Sequence, residues 1–278
     1  SLGVITSQPG KGYYLSHSEP QRKRNIFLLF DSFNSFKEEL YNSFVFHIGQ
    51  NINTDIFFHH MNQRVFKRTI DDNTGLYTDY VVMPTTEKGT PDILQPLSQY
   101  GNVYILDQGI DEFGNVYPSV CQDFRNGIYT SLKYGLERIK KYQSLNLVIT
   151  IHQNQSSKNI CRQMIDGFKS FCHDCNIPSN IISTVSEKIV LPGTCFFVHE
   201  DTELEKLVLM TRRNGLIPGK DTGIISFNET PLKKIVANGI TTISVDYSQY
   251  GILLADMILN HKKEHLVNEM KLILRDSL

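Results

Sequence analysis

The sequence predicts an α/β chain built on parallel β-sheet. Three observations carry this prediction. Short, almost continuously apolar runs recur along the chain, amphipathic stretches fill the intervals, and polar residues follow each run. The runs are NIFLLF (25–30), DIFFH (55–59), DYVVM (79–83), NVYIL (102–106), LNLVITI (145–151), TCFFV (194–198) and GIISF (223–227). A strand apolar on both sides is buried on both faces, as in a parallel sheet covered by helices. Strand and helix alternating over this length give a series of βαβ units.

In chain order, the first element is a hairpin. SQPGKGYYL (7–15) sets a polar tip between apolar flanks, and Gly10 and Gly12 permit the tight turn. Residues 16–24, with Arg22, Lys23 and Arg24, read as a polar linker. After the first apolar run, Ser35 and Glu38 match a capping box. Phe36, Leu40, Phe44 and Ile48 then recur at fours, and Gly49 can end the helix. Thr90-Pro91 reads as a cap followed by proline at the first helical position. Ile128, Leu132, Leu136 and Ile139 form a second stripe between 124 and 142. The stretch 250–259 is amphipathic, and LVNEMKLIL (266–274) is strand-like.

Composition bounds the function. The 278 residues suffice for one large domain or two lobes, and 40% hydrophobic with 21% charged residues is ordinary for a globular protein. A net charge of -1 gives no general pull toward nucleic acid or an anionic membrane. No apolar run approaches a bilayer span, and the first residues do not read as a signal peptide. Five cysteines, an odd number, fit reduced thiols in a cytoplasm.

In open parallel sheets, ligands bind beyond the carboxyl ends of the strands. The residues there are Asp31, Phe33 and Asn34; His59 and His60; Pro84; Asp107 and Gln108; His152; Glu200 and Asp201; and Asn228 and Glu229. The set is mostly acidic or amide. Carboxylates and amides suit the hydroxyls of a neutral polyol, whereas a phosphate calls for arginines, lysines or glycine-rich loops.

Competing motifs fall away. HKKEH (261–265) matches the H-x-x-E-H zinc pattern, which needs both histidines on one helix face; here it reads as a solvated connection. NGLIPGKD (214–221) has Asn214 and Asp221 where a P-loop has its first glycine and its Ser or Thr. His59-His60 read as strand-end packing, and the lone pair Cys172/Cys175 as a helix C-terminus. No serine sits in a nucleophile elbow and no catalytic set emerges. The chain reads as a binder rather than an enzyme, without metal or cofactor.

Several stretches together resemble the LacI/GalR-type sensor domain. GLIPGKDTGIISFNETPLKKIVANGITTISVDYSQYGILLADMIL (215–259) resembles its C-terminal part. QDFRNGIYTSLKYGLERI (122–139) resembles its Asp-x-x-x-Gly helix, and CRQMIDGF (161–168) its approach to Gly-Phe. FFVHEDTEL (196–204) resembles its strand ending in Asn-Asp, and LILRDSL (272–278) its terminal strand and Arg-x-Ser tail. The likeness covers about residues 25–278. It implies the type I periplasmic-binding-protein-like fold: two Rossmann-like lobes with parallel sheets and a ligand in the cleft between them. Lobe 1 would span about 25–123 plus 246–272, and lobe 2 about 124–245 plus 273–278. GVITSQPGKGYYL (3–15) resembles the wing and closing strand of a GntR-type winged helix-turn-helix. Residues 1–15 are then a wing remnant of a DNA-binding head, with Gly10, Lys11 and Gly12 at the tip placed for a phosphate or a minor groove.

The resemblance also implies roles. Asp107 stands where the family often has an Asp that binds sugar hydroxyls. Arg162 lies five before Gly167, where sugar-binding relatives place a ligand arginine; others place it three before, and Met164 stands there. Glu200 takes the slot of a ligand asparagine, a departure that leaves the sugar open. Asn228 replaces a common Asp, Val245 stands where some members have a ligand Gln, and Phe33 is placed to stack on a sugar face. The implied ligand set is Asp31, Phe33, Asn34, Asp107, Gln108, Arg162, Glu200 and Asn228. The implied protein is a cytoplasmic, homodimeric, sugar-responsive transcriptional regulator, a repressor of carbohydrate-use genes. Its partners are a neutral monosaccharide and, for the full-length protein, operator DNA, with no membrane. The alternative is a sugar-binding protein of a transport system with the same fold.

Overall fold

Two six-stranded sheets organise the chain in a computed structural model. It describes residues 5–8, 12–15, 24–85, 87, 89–107, 113, 116–151 and 155–278. The apolar runs form the inner strands as the sequence predicts. The first sheet contains β3 (Asn25–Phe30), β4 (Asn53–Phe58), β5 (Asp79–Val82), β6 (Asn102–Asp107), β7 (Ser119–Cys121) and β13 (His265–Val267), in the order β13-β7-β6-β5-β3-β4. Every pairing in it is parallel. The second contains β8 (Ser144–Val148), β9 (Ser179–Ile182), β10 (Thr194–Val198), β11 (Thr222–Phe227), β12 (Thr241–Val245) and β14 (Met270–Ile273), in the order β14-β12-β11-β10-β8-β9. It is parallel except where β14 runs antiparallel to β12. Central strands β5, β10 and β11 are buried along their whole length, as two covered faces require. β4 is an edge strand and is only partly buried, so its apolar run misleads on that point.

The helices fill the intervals. They are α1 (Ser35–Ile48), α2 (Gln63–Asn73), α3 (Thr90–Leu94), α4 (Phe124–Tyr134), α5 (Leu136–Ile139), α6 (Gln155–Asp174), α7 (Asp201–Arg213) and α8 (Tyr247–Leu259). α1 buries Leu40, Phe44 and Ile48 as its stripe predicts, and Gly49 ends it at φ 96°. Its cap is Asn34 rather than Ser35. Asn34 is extended and its side chain accepts from the Lys37 amide at 3.1 Å, so the helix starts one residue earlier than the capping box suggests. Likewise Gly89 caps α3, and Thr90 is its first helical residue.

α8 packs along α1, which places it with the first sheet; α4 packs on α6 and β14, which places it with the second. Among the described residues the chain passes between the lobes three times: at Cys121–Phe124, at Val245–Tyr247 and between β13 and β14. The last passage corrects the expected boundary at 272. Met270 pairs with Val245 and Ile273 with Thr242, so β14 belongs wholly to the second lobe and the crossing lies at Asn268 and Glu269. Asn268, 5% exposed, ties the three together. Its amide donates to the Cys121 carbonyl at 2.9 Å, and its Nδ2 donates to the Asp246 carbonyl at 2.9 Å.

The N-terminal hairpin is present. β1 (Ile5–Gln8) pairs antiparallel with β2 (Gly12–Leu15), Gln8 opposite Gly12. Gly10 and Lys11 lie outside the described residues, as do 16–23 of the expected linker. Arg24 is not linker: its guanidinium meets buried Asp79 at 3.3 Å and His261 at 2.9 Å. HKKEH does not lie on one helix. His261 sits in a turn at φ 49°, and His265 opens β13, bonded to the Ser119 hydroxyl at 2.9 Å.

Candidate functional site

The carboxyl ends of the strands in the first lobe gather a buried charged cluster. Asp31 follows β3 and is 7% exposed. One of its oxygens accepts from the Ser32 amide at 2.6 Å and from the Lys37 ammonium. Lys37 comes from the first turn of α1, swung inward by the Asn34 cap, and is itself buried. Asp107 ends β6 with φ 75°, a left-handed geometry that a short Asp side chain tolerates. Burial pushes its carboxyl pKa up; Lys37 pulls it down, Asp31 pushes it up again, and the Gln122 hydrogen bond pulls it down. Asp31, Lys37 and Asp107 are therefore one electrostatic unit.

From Asp107 a polar chain runs toward the second lobe. Gln122, on the first crossing, donates through Nε2 to Asp107 Oδ1. Its side-chain amide also acts on the Tyr247 hydroxyl, a hydroxyl otherwise pushed far up in pKa by burial and by Asp107. Tyr247, on the second crossing, donates to Asn228 Oδ1 at 3.0 Å. Asn228 follows β11 at φ 59°. Two independent anchors hold it: its amide donates to the Ile243 carbonyl at 2.9 Å, and its carbonyl accepts from the Lys233 ammonium at 2.9 Å. Lys233, almost wholly buried, also bonds the Phe227 carbonyl at 2.7 Å and Asp201 at 2.7 Å. One lysine thus knits together the ends of β10 and β11.

The remaining predicted residues are placed less centrally. Phe33 is 53% exposed and sits edge-on to Phe58 with 5.8 Å between centroids. Asn34 spends its side-chain oxygen as the α1 cap. Glu200 holds the position before α7, and its charge, second to burial, helps raise the Cys161 thiol to about 11. Its neighbour His199 stacks on Phe227 at 5.4 Å. Arg162 is placed away from the strand ends in sequence. It lies inside α6, exposed, and makes no ion pair among the described residues. Gln108 and His152 lie outside the described residues. His59 is fully buried, donates through Nε2 to the Met83 carbonyl at 3.0 Å and meets Phe66 edge-on, which is packing of the kind expected at a strand end.

No family model matches the sequence, and no curated protein matches it by sequence; the likeness lies in three dimensions. A periplasmic binding protein/LacI transcriptional regulator from Alkaliphilus metalliredigens, complexed with D-xylulofuranose, superposes with a TM-score of 0.68 at 12% identity, covering 91% of this chain and 98% of that one. A dimeric Lac repressor with a C-terminal deletion gives a TM-score of 0.73 at 12% identity, with the same coverages of 91% and 98%. A regulatory protein of the LacI family from Chloroflexus aggregans gives 0.70 at 14% identity, again covering 91% and 98%. The chain has the LacI/periplasmic-binding-protein-like fold. In open parallel sheets the crevice beyond the carboxyl ends of the strands is where ligands bind. Sequence reasoning found Asp31, Asp107 and Asn228, which the structure joins. It missed Lys37, Gln122, Tyr247 and Lys233, which do the joining. Of these, Tyr247 carries a readable signal: it follows Asp246, whose side chain caps α8 by accepting from the Gln249 amide at 2.8 Å.

Proposed function

We propose that this chain is the effector-binding region of a sugar-responsive transcriptional regulator. The observation that carries the reading is the polar chain Asp107–Gln122–Tyr247–Asn228, which links the strand ends of both lobes through two of the crossings. A ligand seated there touches both lobes and favours the closed arrangement by its differential affinity for it. The cleft side offers carboxylate and amide groups, while the two buried lysines near it are already bonded to Asp31 and Asp201. That chemistry suits a neutral monosaccharide better than a phosphorylated one. Asp31, Phe33, Asn34, Asp107, Gln108, Arg162, Glu200 and Asn228 are the proposed contacts, with Asp107 and Arg162 gripping from opposite lobes. The hairpin of β1 and β2 is read as the wing of a GntR-type head, with Lys11 meeting DNA phosphate. The whole regulator is read as a cytoplasmic homodimer that represses carbohydrate-use genes. Among the described residues, no helix is long and apolar enough to cross a membrane.

A thermal-shift panel of neutral pentoses, hexoses and deoxyhexoses beside their phosphates tests the reading. Stabilisation by a neutral sugar is expected. Stabilisation by phosphorylated sugars alone contradicts it.

A further inference from the structure

His59 does more than fill a strand end. It is fully buried, and three hydrogen bonds fix it. Its amide donates to the Phe30 carbonyl at the end of β3 at 3.0 Å, and its carbonyl accepts from the Asn62 amide at 2.8 Å. Its ring donates through Nε2 to the Met83 carbonyl, just after β5, at 3.0 Å. Asn62 caps α2, so this one residue ties the end of β4 to β3, β5 and a helix start. The turn it opens is unfavourable in itself. His60 and Met61 follow at φ 49° and 55°, a left-handed geometry that residues other than glycine keep only where their surroundings hold them.

The bond to Met83 needs the proton on Nε2, which leaves Nδ1 bare in the neutral ring. Nδ1 is buried and has no hydrogen-bond partner among the described residues. A second proton there would create a cation in a site closed to water, edge-on to the Phe66 ring and repelled by Lys37. The charges that bear on the ring are Asp31 at the end of β3, Lys37 of α1 and His60 of its own turn. α2 meets it with Phe66 and the end of β5 with Met83, while Arg64, Lys67 and Glu87 on those sides are exposed. Burial is the largest influence and, with Lys37 and His60, holds the imidazole pKa below its ordinary 6.5; Asp31 and the Met83 bond act the other way.

We propose that His59 is a proton-operated latch on the first lobe: the neutral ring pins the turn at 59–62 to β5, and protonation releases it. Release frees the edge strand β4 and the first turn of α2 beside the Asp31–Lys37 pair, so acid loosens the charged half of the candidate cleft. The latch goes beyond the sugar reading and does not rest on it. The unfolded chain takes up this proton near pH 6.5 and the folded chain only below that. The stability it contributes is therefore complete above 6.5 and drains away as pH falls through the window beneath it.

Urea unfolding of the unchanged chain, His59→Gln and His60→Gln between about pH 7.5 and 5.5 tests the latch. Glutamine keeps an amide donor for Met83 and does not titrate, and exposed His60 is the control. The unfolding constant of the unchanged chain and of His60→Gln is expected to rise below pH 6.5 by up to about tenfold per pH unit, the slope of one linked proton. That rise is expected to vanish in His59→Gln. Asp107, whose carboxyl burial raises, titrates alike in all three and cancels from the comparison. Hydrogen exchange at pH 5.5 is expected to show residues 59–66 less protected in the unchanged chain than in His59→Gln. The proposal is overturned if His59→Gln keeps the pH dependence of the unchanged chain, if His60→Gln loses it as well, or if exchange over 59–66 is equal. Where His59→Gln does not fold, nitrogen NMR of the His59 ring in the unchanged chain decides. A ring mostly neutral in the folded chain at pH 6.5 supports the latch, and one at least half protonated there refutes it.

Discussion

Lys37 sits on the helix face that a periodic reading assigns to apolar residues, one position from the stripe of Phe36 and Leu40. It is buried there because Asp31, equally buried, needs a counter-charge. Removing one partner of a buried ion pair strands the other, at a cost of about 3–5 kcal/mol. Lys37→Met is therefore expected to lower the unfolding free energy by that amount, read as a lower urea midpoint at unchanged slope, and Lys37→Met with Asp31→Asn to recover most of it. Equal midpoints for wild type and Lys37→Met contradict the pairing. The contrast with Asp31 shows what the sequence conveys at this scale. Asp31, Asp107 and Asn228 are found because a residue directly after a strand points toward the carboxyl edge whatever its neighbours do. Lys37 enters from a helix, and Gln122 and Tyr247 from chain crossings. Their contribution depends on which strands end side by side, and no local pattern carries that.

Elements were legible in proportion to their length and burial. Five- and six-residue apolar strands such as β3, β10 and β11 announce themselves. β7, β9 and β13 have three or four residues and exist because a neighbouring strand offers a hydrogen-bonded edge. Helix ends shifted by a residue, since Asn34 and Ser35 are both competent caps and only backbone geometry chooses. The packing of α6 on α4 depends on Gly167, where an added Cβ would lie 2.2 Å from the Arg125 carbonyl oxygen. Two effects oppose each other at this position. Alanine is favoured over glycine in a helix by about 1 kcal/mol, while overpacking costs about 1–3 kcal/mol and more where backbone must move. A contact with backbone oxygen cannot be relieved by a rotamer, so the clash wins. Gly167→Ala is expected to destabilise by about 1–3 kcal/mol in thermal unfolding; a raised melting temperature contradicts the close approach.

On the scale of the molecule, the three crossings and the polar chain between them make the two lobes one device. Asn268 bonds both other crossings, so the lobes share a knot at the hinge. Asp107 and Asn228 face each other across it through Gln122 and Tyr247. A ligand held by groups from both lobes stabilises their approach, and it shifts the lobes only by its differential affinity for that arrangement. On the function proposed, a neutral monosaccharide is held between the lobes by Asp107 and Arg162. A buried hydrogen bond to a charged group contributes about 1.5–3 kcal/mol, or roughly ten- to a hundredfold in affinity. The most direct measurement is calorimetric titration of the best neutral sugar into wild type, Asp107→Ala and Arg162→Ala, with thermal unfolding to show that each remains folded. The predicted result is a ten- to hundredfold loss in Asp107→Ala and a clear loss in Arg162→Ala; binding of that sugar to both variants as tightly as to wild type would contradict the account.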